Sequence, residues 1–233
     1  MLTDFVLYQI WLSPPATLSD VRLECIDSTA RVFSDATRVF ITDTTKENTL
    51  GDRGLLIEDY RPILKDSIAW AAEITGNPHW WKHYCSKSRV FASDLMRFYL
   101  CSNCGKPVMY ADTDVLFGYT FADLDLDFSR RKIFLGMFGP GGIDHFLIYS
   151  DGINNLLKEF VQFVTKNRRQ QTYFLSQIFD LFFRSKKRSF GKIPELYFSH
   201  IHDRTDGTGW KDFTSFYNDI GDFKNYFNKE KPE

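Results

Sequence analysis

Apolar positions along the chain switch between two periods. The run Phe5-Val-Leu-Tyr-Gln-Ile-Trp11 is continuous and β-rich, and Pro14-Pro15 stops it, which predicts a first strand with a loop at its carboxyl end. From Asp20 to Phe33 the apolar residues Val21, Leu23, Ile26 and Val32 follow a helical spacing, and Thr37-Arg-Val-Phe-Ile-Thr-Asp43 reads as a second strand. Leu55 to Ala72 carries a helical pattern interrupted at Pro62, and Ser88 to Leu100 predicts a helix with Val90, Leu95, Phe98 and Tyr99 on its apolar face. Strands are expected at Val108 to Tyr110, Ile133 to Gly136 and Phe146 to Tyr149, with a Gly-rich turn at Pro140 to Gly142. Helices over Asn154 to Thr165 and Gln170 to Phe183, a last strand at Glu195 to Ser199 and an aromatic, polar tail from Trp210 complete the pattern.

Strands alternating with helices predict an α/β fold with a mostly parallel central sheet flanked by helices. Ligands of such sheets bind at the carboxyl ends of the strands, where Trp11 and the pair Asp112 and Asp114 fall. A length of 233 residues fits a single domain, and no repeat or linker divides it.

Composition narrows the partners. A net charge of −1 removes the electrostatic case for nucleic acid. No apolar run reaches the length of a membrane helix and the start lacks the basic residues of a signal peptide, so the expectation is a cytoplasmic protein with at most peripheral membrane contact. The basic stretch from Lys166 to Lys192 surrounds an apolar run, Tyr173 to Phe183. It reads either as a helix beside a membrane or acidic lipid-linked substrate, or as a buried helix with solvated ends, and the second is the expectation. Of Cys25, Cys85, Cys101 and Cys104, the last two have zinc-knuckle spacing but no second pair at zinc-site distance, so a reduced, partly buried pair is expected.

The chemistry concentrates at Tyr110-Ala-Asp-Thr-Asp-Val-Leu-Phe117. Side chains two apart on an extended chain point the same way, so Asp112 and Asp114 place two carboxylates on one face at a strand exit. Such a pair needs a counter-charge, and oxygen ligation suits Mg²⁺ or Mn²⁺. The plainer reading is that Asp112 caps a following turn and Asp114 is solvated. Upstream, Asp94 and Arg97 stand three apart on a helix, which alone would be a surface ion pair.

Taken together, Gln9-Ile-Trp11, Ser93-Asp-x-x-Arg97 and Asp112-Thr-Asp114 resemble the sugar-nucleotide glycosyltransferases of the GT-A fold that carry a DXD motif, and more distantly the glucosylating domains of large clostridial toxins. The resemblance spans Phe5 to Phe117. Where that family has a Gly-Gly pair before the acidic motif, this chain has Cys104-Gly105-Lys106-Pro107.

The resemblance implies a single GT-A domain over residues 1–233, with a donor-binding half over about 1–120, an acceptor side over about 121–210 and a tail over 211–233. It implies a metal-dependent transfer of a hexose from a nucleotide sugar, UDP-linked, to a glycan or other hydroxyl acceptor. Gln9, Ile10 and Trp11 would form the donor's base site, with Trp11 stacking on the base. Asp94 would bind sugar hydroxyls, Arg97 would reach the sugar or diphosphate, and Asp112 would contact the ribose or the metal. Asp114 would ligate Mn²⁺ or Mg²⁺ directly, with His202 or His200 of Ser199-His-Ile-His-Asp203 as the third ligand. Asp144 would serve as the base if the reaction inverts, and Asp144 and His145 beside the Gly-rich turn, with Gln170 and Gln171, would border the acceptor, although purely structural roles are the expectation for these four. Two alternatives remain at this point: a nucleotidyltransferase using the same acidic pair, and a catalytically silent domain that kept the fold.

Overall fold

The first apolar run forms strand β1 (Val6–Trp11), which lies in the middle of a seven-stranded sheet. Val6 and Ile10 enter the core on one face of that sheet and Leu7 the core on the other, as a central strand covered on both sides requires. A computed structural model describes residues 4–46, 50–124, 126, 128–129, 131–138, 142–167, 175–186 and 189–201.

Helix α1 (Asp20–Val32) follows, its first turn capped by the Ser19 hydroxyl, which accepts from the Arg22 amide at 3.3 Å. Strand β2 (Thr37–Thr42) then pairs parallel with β1. The stretch expected as one helix from Leu55 to Ala72 divides instead. Leu56–Asp59 is an edge strand, β3, and the helix α2 runs from Tyr60 to Thr75. Asp59 ends the strand by capping the helix, accepting from the Arg61 amide at 2.8 Å. Pro62 therefore falls in the first turn, where a missing N–H has no intrahelical acceptor to lose, and it interrupts nothing.

A short helix that the periodicity did not suggest, α3 (Pro78–Lys87), is started by the Asn77 cap and buries Trp81 and Cys85. Helix α4 (Arg89–Asn103), capped by Ser88, is buried along most of its length and delivers the chain to strand β4 (Val108–Ala111). Between them the turn needs one glycine: Gly105 has φ of 76° and donates its N–H to the Gly152 carbonyl at 3.1 Å. Strand β5 (Val115–Phe117) leaves the acidic motif, and strands β6 (Ile133–Phe138) and β7 (Gly142–Ser150) form an antiparallel pair.

Helices α5 (Asn155–Lys166) and α6 (Leu175–Ser185) cover the sheet, and strand β8 (Gly191–Ile193) completes its edge. In α6, Phe179, Phe182 and Phe183 are core residues, while Leu181 is exposed. Gln170 and Gln171 lie outside the described residues, as do Pro140, Gly141 and the tail from Trp210. The last expected strand shifts: Glu195–Tyr197 is a 3-10 turn, and strand β9 is Phe198–His200.

The sheet order is β3-β2-β1-β4-β7-β6-β8, parallel except for β7, which runs antiparallel to both β4 and β6. A separate two-stranded sheet joins β5 to β9 with Val115 opposite His200. The Ile201 amide donates to the Asp114 carbonyl at 2.8 Å, locking the two segments in register. This small sheet carries a histidine from late in the chain to the acidic motif. All cysteines among the described residues are free thiols, with Cys101 buried in α4 and Cys104 at its end. Among the described residues no helix is long and apolar enough to cross a membrane.

Candidate active site

At the carboxyl ends of β1 and β4 lies a cleft of about 240 Å³. It is lined by Ile10 to Ser13 after β1, by Arg22 of α1, by Arg89, Val90, Ser93 and Arg97 of α4, and by Asp112 to Asp114 after β4. Ile10 and Trp11, taken from the sequence as donor-binding, are therefore cleft residues. Trp11 is half-buried, and its indole N–H is directed away from the cleft by hydrogen bonds to the Pro14 carbonyl at 3.2 Å and the Thr17 hydroxyl at 3.3 Å. Its ring is thus fixed in place and carries the Arg22 guanidinium over one face at 4.8 Å. Gln9 is 1% exposed and is not among the cleft residues, and neither atom of its side-chain amide has a hydrogen-bond partner.

Asp94 and Arg97 are not a surface pair. Their side chains are 4% and 5% exposed, because α4 is buried where they stand. Arg97 holds four groups at once. Its Nη2 lies 3.0 Å from both Asp94 Oδ1 and Asp112 Oδ1, and its Nη1 donates to the His145 ring Nδ1 at 2.7 Å and the His145 carbonyl at 2.9 Å. The Tyr110 ring lies 4.4 Å beneath the guanidinium, and its hydroxyl donates to Asp112 Oδ1. Since a guanidinium only donates, His145 Nδ1 must accept, and the imidazole is neutral with its proton on Nε2.

The titration behaviour follows from this packing. Burial pushes the Asp94 carboxyl up to about 7, with Arg97 opposing and Asp112 and Asp144 reinforcing the shift. Burial alone would weaken the charge on Arg97, but Asp112, Tyr110 and Asp94 outweigh it and hold the guanidinium above its ordinary value. Burial, then the charges of Arg97 and His200, push His145 well below the ordinary histidine value. Asp144 is raised by burial against a hydrogen bond from the His145 amide at 2.6 Å.

The second half of the site is Asp112, Asp114 and His200, whose ligand atoms all lie within 4.8 Å of one another. His200 Nε2 is 3.3 Å from Asp114 Oδ1, and the His200 ring stacks on Phe146 with centroids 4.1 Å apart. Burial lowers the His200 imidazole, yet the Asp114 carboxylate beside it, with Asp112 and Asp144 beyond, raises it above the ordinary value overall. Burial raises Asp114, and His200 and Arg22 together bring it below the carboxylate range. Of the two histidines proposed from sequence, His200 is the one beside the acidic pair, and His202 lies outside the described residues. Two carboxylates and an imidazole nitrogen suit Mn²⁺, and Mg²⁺ less closely, while three protein ligands leave positions for other oxygens.

Two residues were not assigned this place by sequence reasoning. Arg22 gave no signal, since its partner Thr113 is 91 positions away. His145 was read as bordering an acceptor, whereas its ring faces Arg97 and packs edge-on against Phe98 and Phe179.

No protein-family model matches the chain, and no curated protein sequence matches it. Among solved structures, the PaToxG glycosyltransferase is similar over 79% of this chain and 70% of its own, with a TM-score of 0.58 and 15% identity. Mouse xyloside xylosyltransferase 1, in its apo form, is similar over 82% of this chain and 85% of its own, with a TM-score of 0.55 and 10% identity. At such identities the likeness is one of fold, and the chain is a single α/β domain with the GT-A architecture of these glycosyltransferases.

Proposed function

We propose that the protein is a metal-dependent glycosyltransferase that moves a hexose from a UDP-linked donor to a hydroxyl of a glycan. The observation that carries this reading is the meeting, at the carboxyl ends of β1 and β4, of a fixed Trp11 ring, a buried Asp94–Arg97–Asp112 knot and the Asp112, Asp114 and His200 group. The fold shared with glycosyltransferases supports it.

In this reading the Trp11 ring receives the base by stacking, a contact worth about 1–3 kcal/mol in nucleic-acid complexes. Asp94 offers its carboxylate to sugar hydroxyls, and Arg97 holds it in place from the same helix. Asp112, Asp114 and His200 would hold Mn²⁺ or Mg²⁺, which when bound supplies positive charge to the diphosphate leaving group. Arg97 adds a fixed guanidinium that needs no reorganisation as negative charge develops on the departing oxygen. Asp144, with its raised carboxyl, is the candidate base should the transfer invert the anomeric centre.

A nucleotidyltransferase would place a Gly-rich phosphate loop after the first strand. Here that segment is Leu12-Ser-Pro followed by a 3-10 turn, Pro15–Thr17, with no glycine. A panel of nucleotide sugars, incubated with the protein with and without Mn²⁺ and assayed for release of the nucleoside diphosphate, tests the reading. It predicts cation-dependent hydrolysis of at least one UDP-hexose, and no turnover of any donor under either condition would contradict it.

A further inference from the structure

Arg22 stands where the two halves of the cleft meet. It belongs to the first turn of α1, lines the cleft, and reaches three different parts of the site. Its Nη2 lies 3.2 Å from Asp114 Oδ2, its Nη1 donates to the Thr113 hydroxyl at 2.7 Å, and its guanidinium covers one face of Trp11. In this arrangement both oxygens of Asp114 have a neighbour, Arg22 on one side and His200 on the other.

The other cleft arginines are placed differently. Arg97 is immobilised by Asp94, Asp112 and His145, and Arg89 lines the cleft with a contact to Ser13 at 3.4 Å. Arg22 reaches one carboxylate, one hydroxyl and one ring of the described residues from the end of a long side chain. A guanidinium fork matches a phosphate in geometry and charge.

We propose that Arg22 is a donor-binding residue that guards the metal ligands: without nucleotide it neutralises Asp114 and covers Trp11, and when the donor enters it transfers its fork to the diphosphate. This rests on the transferase reading above. It makes cation and nucleotide binding mutually dependent, because Arg22 leaves Asp114 readily only when a second anion takes its charge. By linkage the dependence is the same in both directions. The competing account is that Arg22 simply ties α1 to the turn of residues 112–114, and it predicts no effect on cation affinity beyond a general loosening.

The test is a calorimetric titration of the full chain with Mn²⁺, alone and in the presence of UDP, for wild type, Arg22→Met and Thr113→Val. Methionine keeps the apolar stem and the helix propensity, and valine removes only the hydroxyl that steadies Nη1. In the absence of UDP, Arg22→Met is expected to bind Mn²⁺ about fivefold or more tightly than wild type, the low end of ordinary coupling factors. Its affinity for UDP in saturating Mn²⁺ is expected to fall, so that the mutual enhancement seen in wild type shrinks. Thr113→Val should move nucleotide-free Mn²⁺ affinity in the same direction. Unchanged or weaker Mn²⁺ binding by Arg22→Met without UDP overturns the guarding role while leaving the transferase reading intact. Wild-type protein whose UDP binding ignores Mn²⁺ overturns the transferase reading and the guarding role together.

Discussion

Replacing Arg97 with methionine removes one side chain and strands several others. The Asp94 and Asp112 carboxylates lose the cation 3.0 Å away, and the His145 ring nitrogen and carbonyl lose the donor they share. An exposed ion pair of the same i,i+3 spacing would cost only about 0.2–1 kcal/mol. Burial changes the scale: breaking a buried pair by removing one partner costs about 3–5 kcal/mol, because the remaining charge keeps its desolvation penalty. For a domain of this size, that corresponds to a fall in Tm of about 10 °C. Asp94 can relieve part of the cost by taking a proton, so the loss should be greater near about pH 8 than near about pH 5. Urea denaturation of the full chain, followed by far-UV circular dichroism at both pH values, measures it. A loss under about 1 kcal/mol at the higher pH would show that the knot does not hold the site together.

Further outcomes follow from the same geometry. Because burial raises the Asp94 carboxyl to about 7, the folded state keeps this proton to higher pH than the unfolded state, and its contribution to stability is lost as pH rises through about 7. Metal-free Asp94→Asn should therefore gain on wild type across that rise, and a pH-independent difference in urea midpoint would refute the assignment. His145 is shifted the opposite way, so its contribution is present above the ordinary histidine pKa and lost as pH falls below it. Nitrogen NMR of the imidazoles should show His145 with its proton on Nε2 and still neutral where an exposed histidine has become protonated. Asp114→Asn should abolish UDP-hexose hydrolysis without unfolding the chain, and retained turnover would dismiss its metal role. Gly152, at φ of 81°, has the Lys106 carbonyl 2.0 Å from where a Cβ would sit, so Gly152→Ala should destabilise by about 1 kcal/mol or more in the same denaturation assay.

The parts of the fold legible in sequence are those whose pattern is local. Phe5 to Trp11 and Thr37 to Asp43 are apolar and β-branched enough to read as buried parallel strands, and Ser88 and Asn154 announce their helices as caps. The edge strand at Leu56–Asp59 escaped because an edge strand buries little and its residues merge into the helical pattern after Pro62. Helix α3 escaped because its aromatic residues Trp80, Trp81 and Tyr84 pack on one another and on Phe91 rather than following one apolar stripe. At the site, the carboxylates could be read from spacing and the Trp11 platform from resemblance. Arg22, His145 and the choice of His200 depend on contacts between segments dozens of residues apart, brought together by the β5–β9 pairing and the β4–β7 register.

The most direct test of the transferase account is the thermal stability of the full chain with UDP, with Mn²⁺, and with both. The account predicts a clear rise in Tm when both are present, larger than the sum of the separate effects, and its loss in Asp114→Asn. Ligand at 100 times its Kd stabilises by about 2.7 kcal/mol, enough to be seen plainly. No shift with any nucleoside diphosphate, with or without the cation, would contradict it.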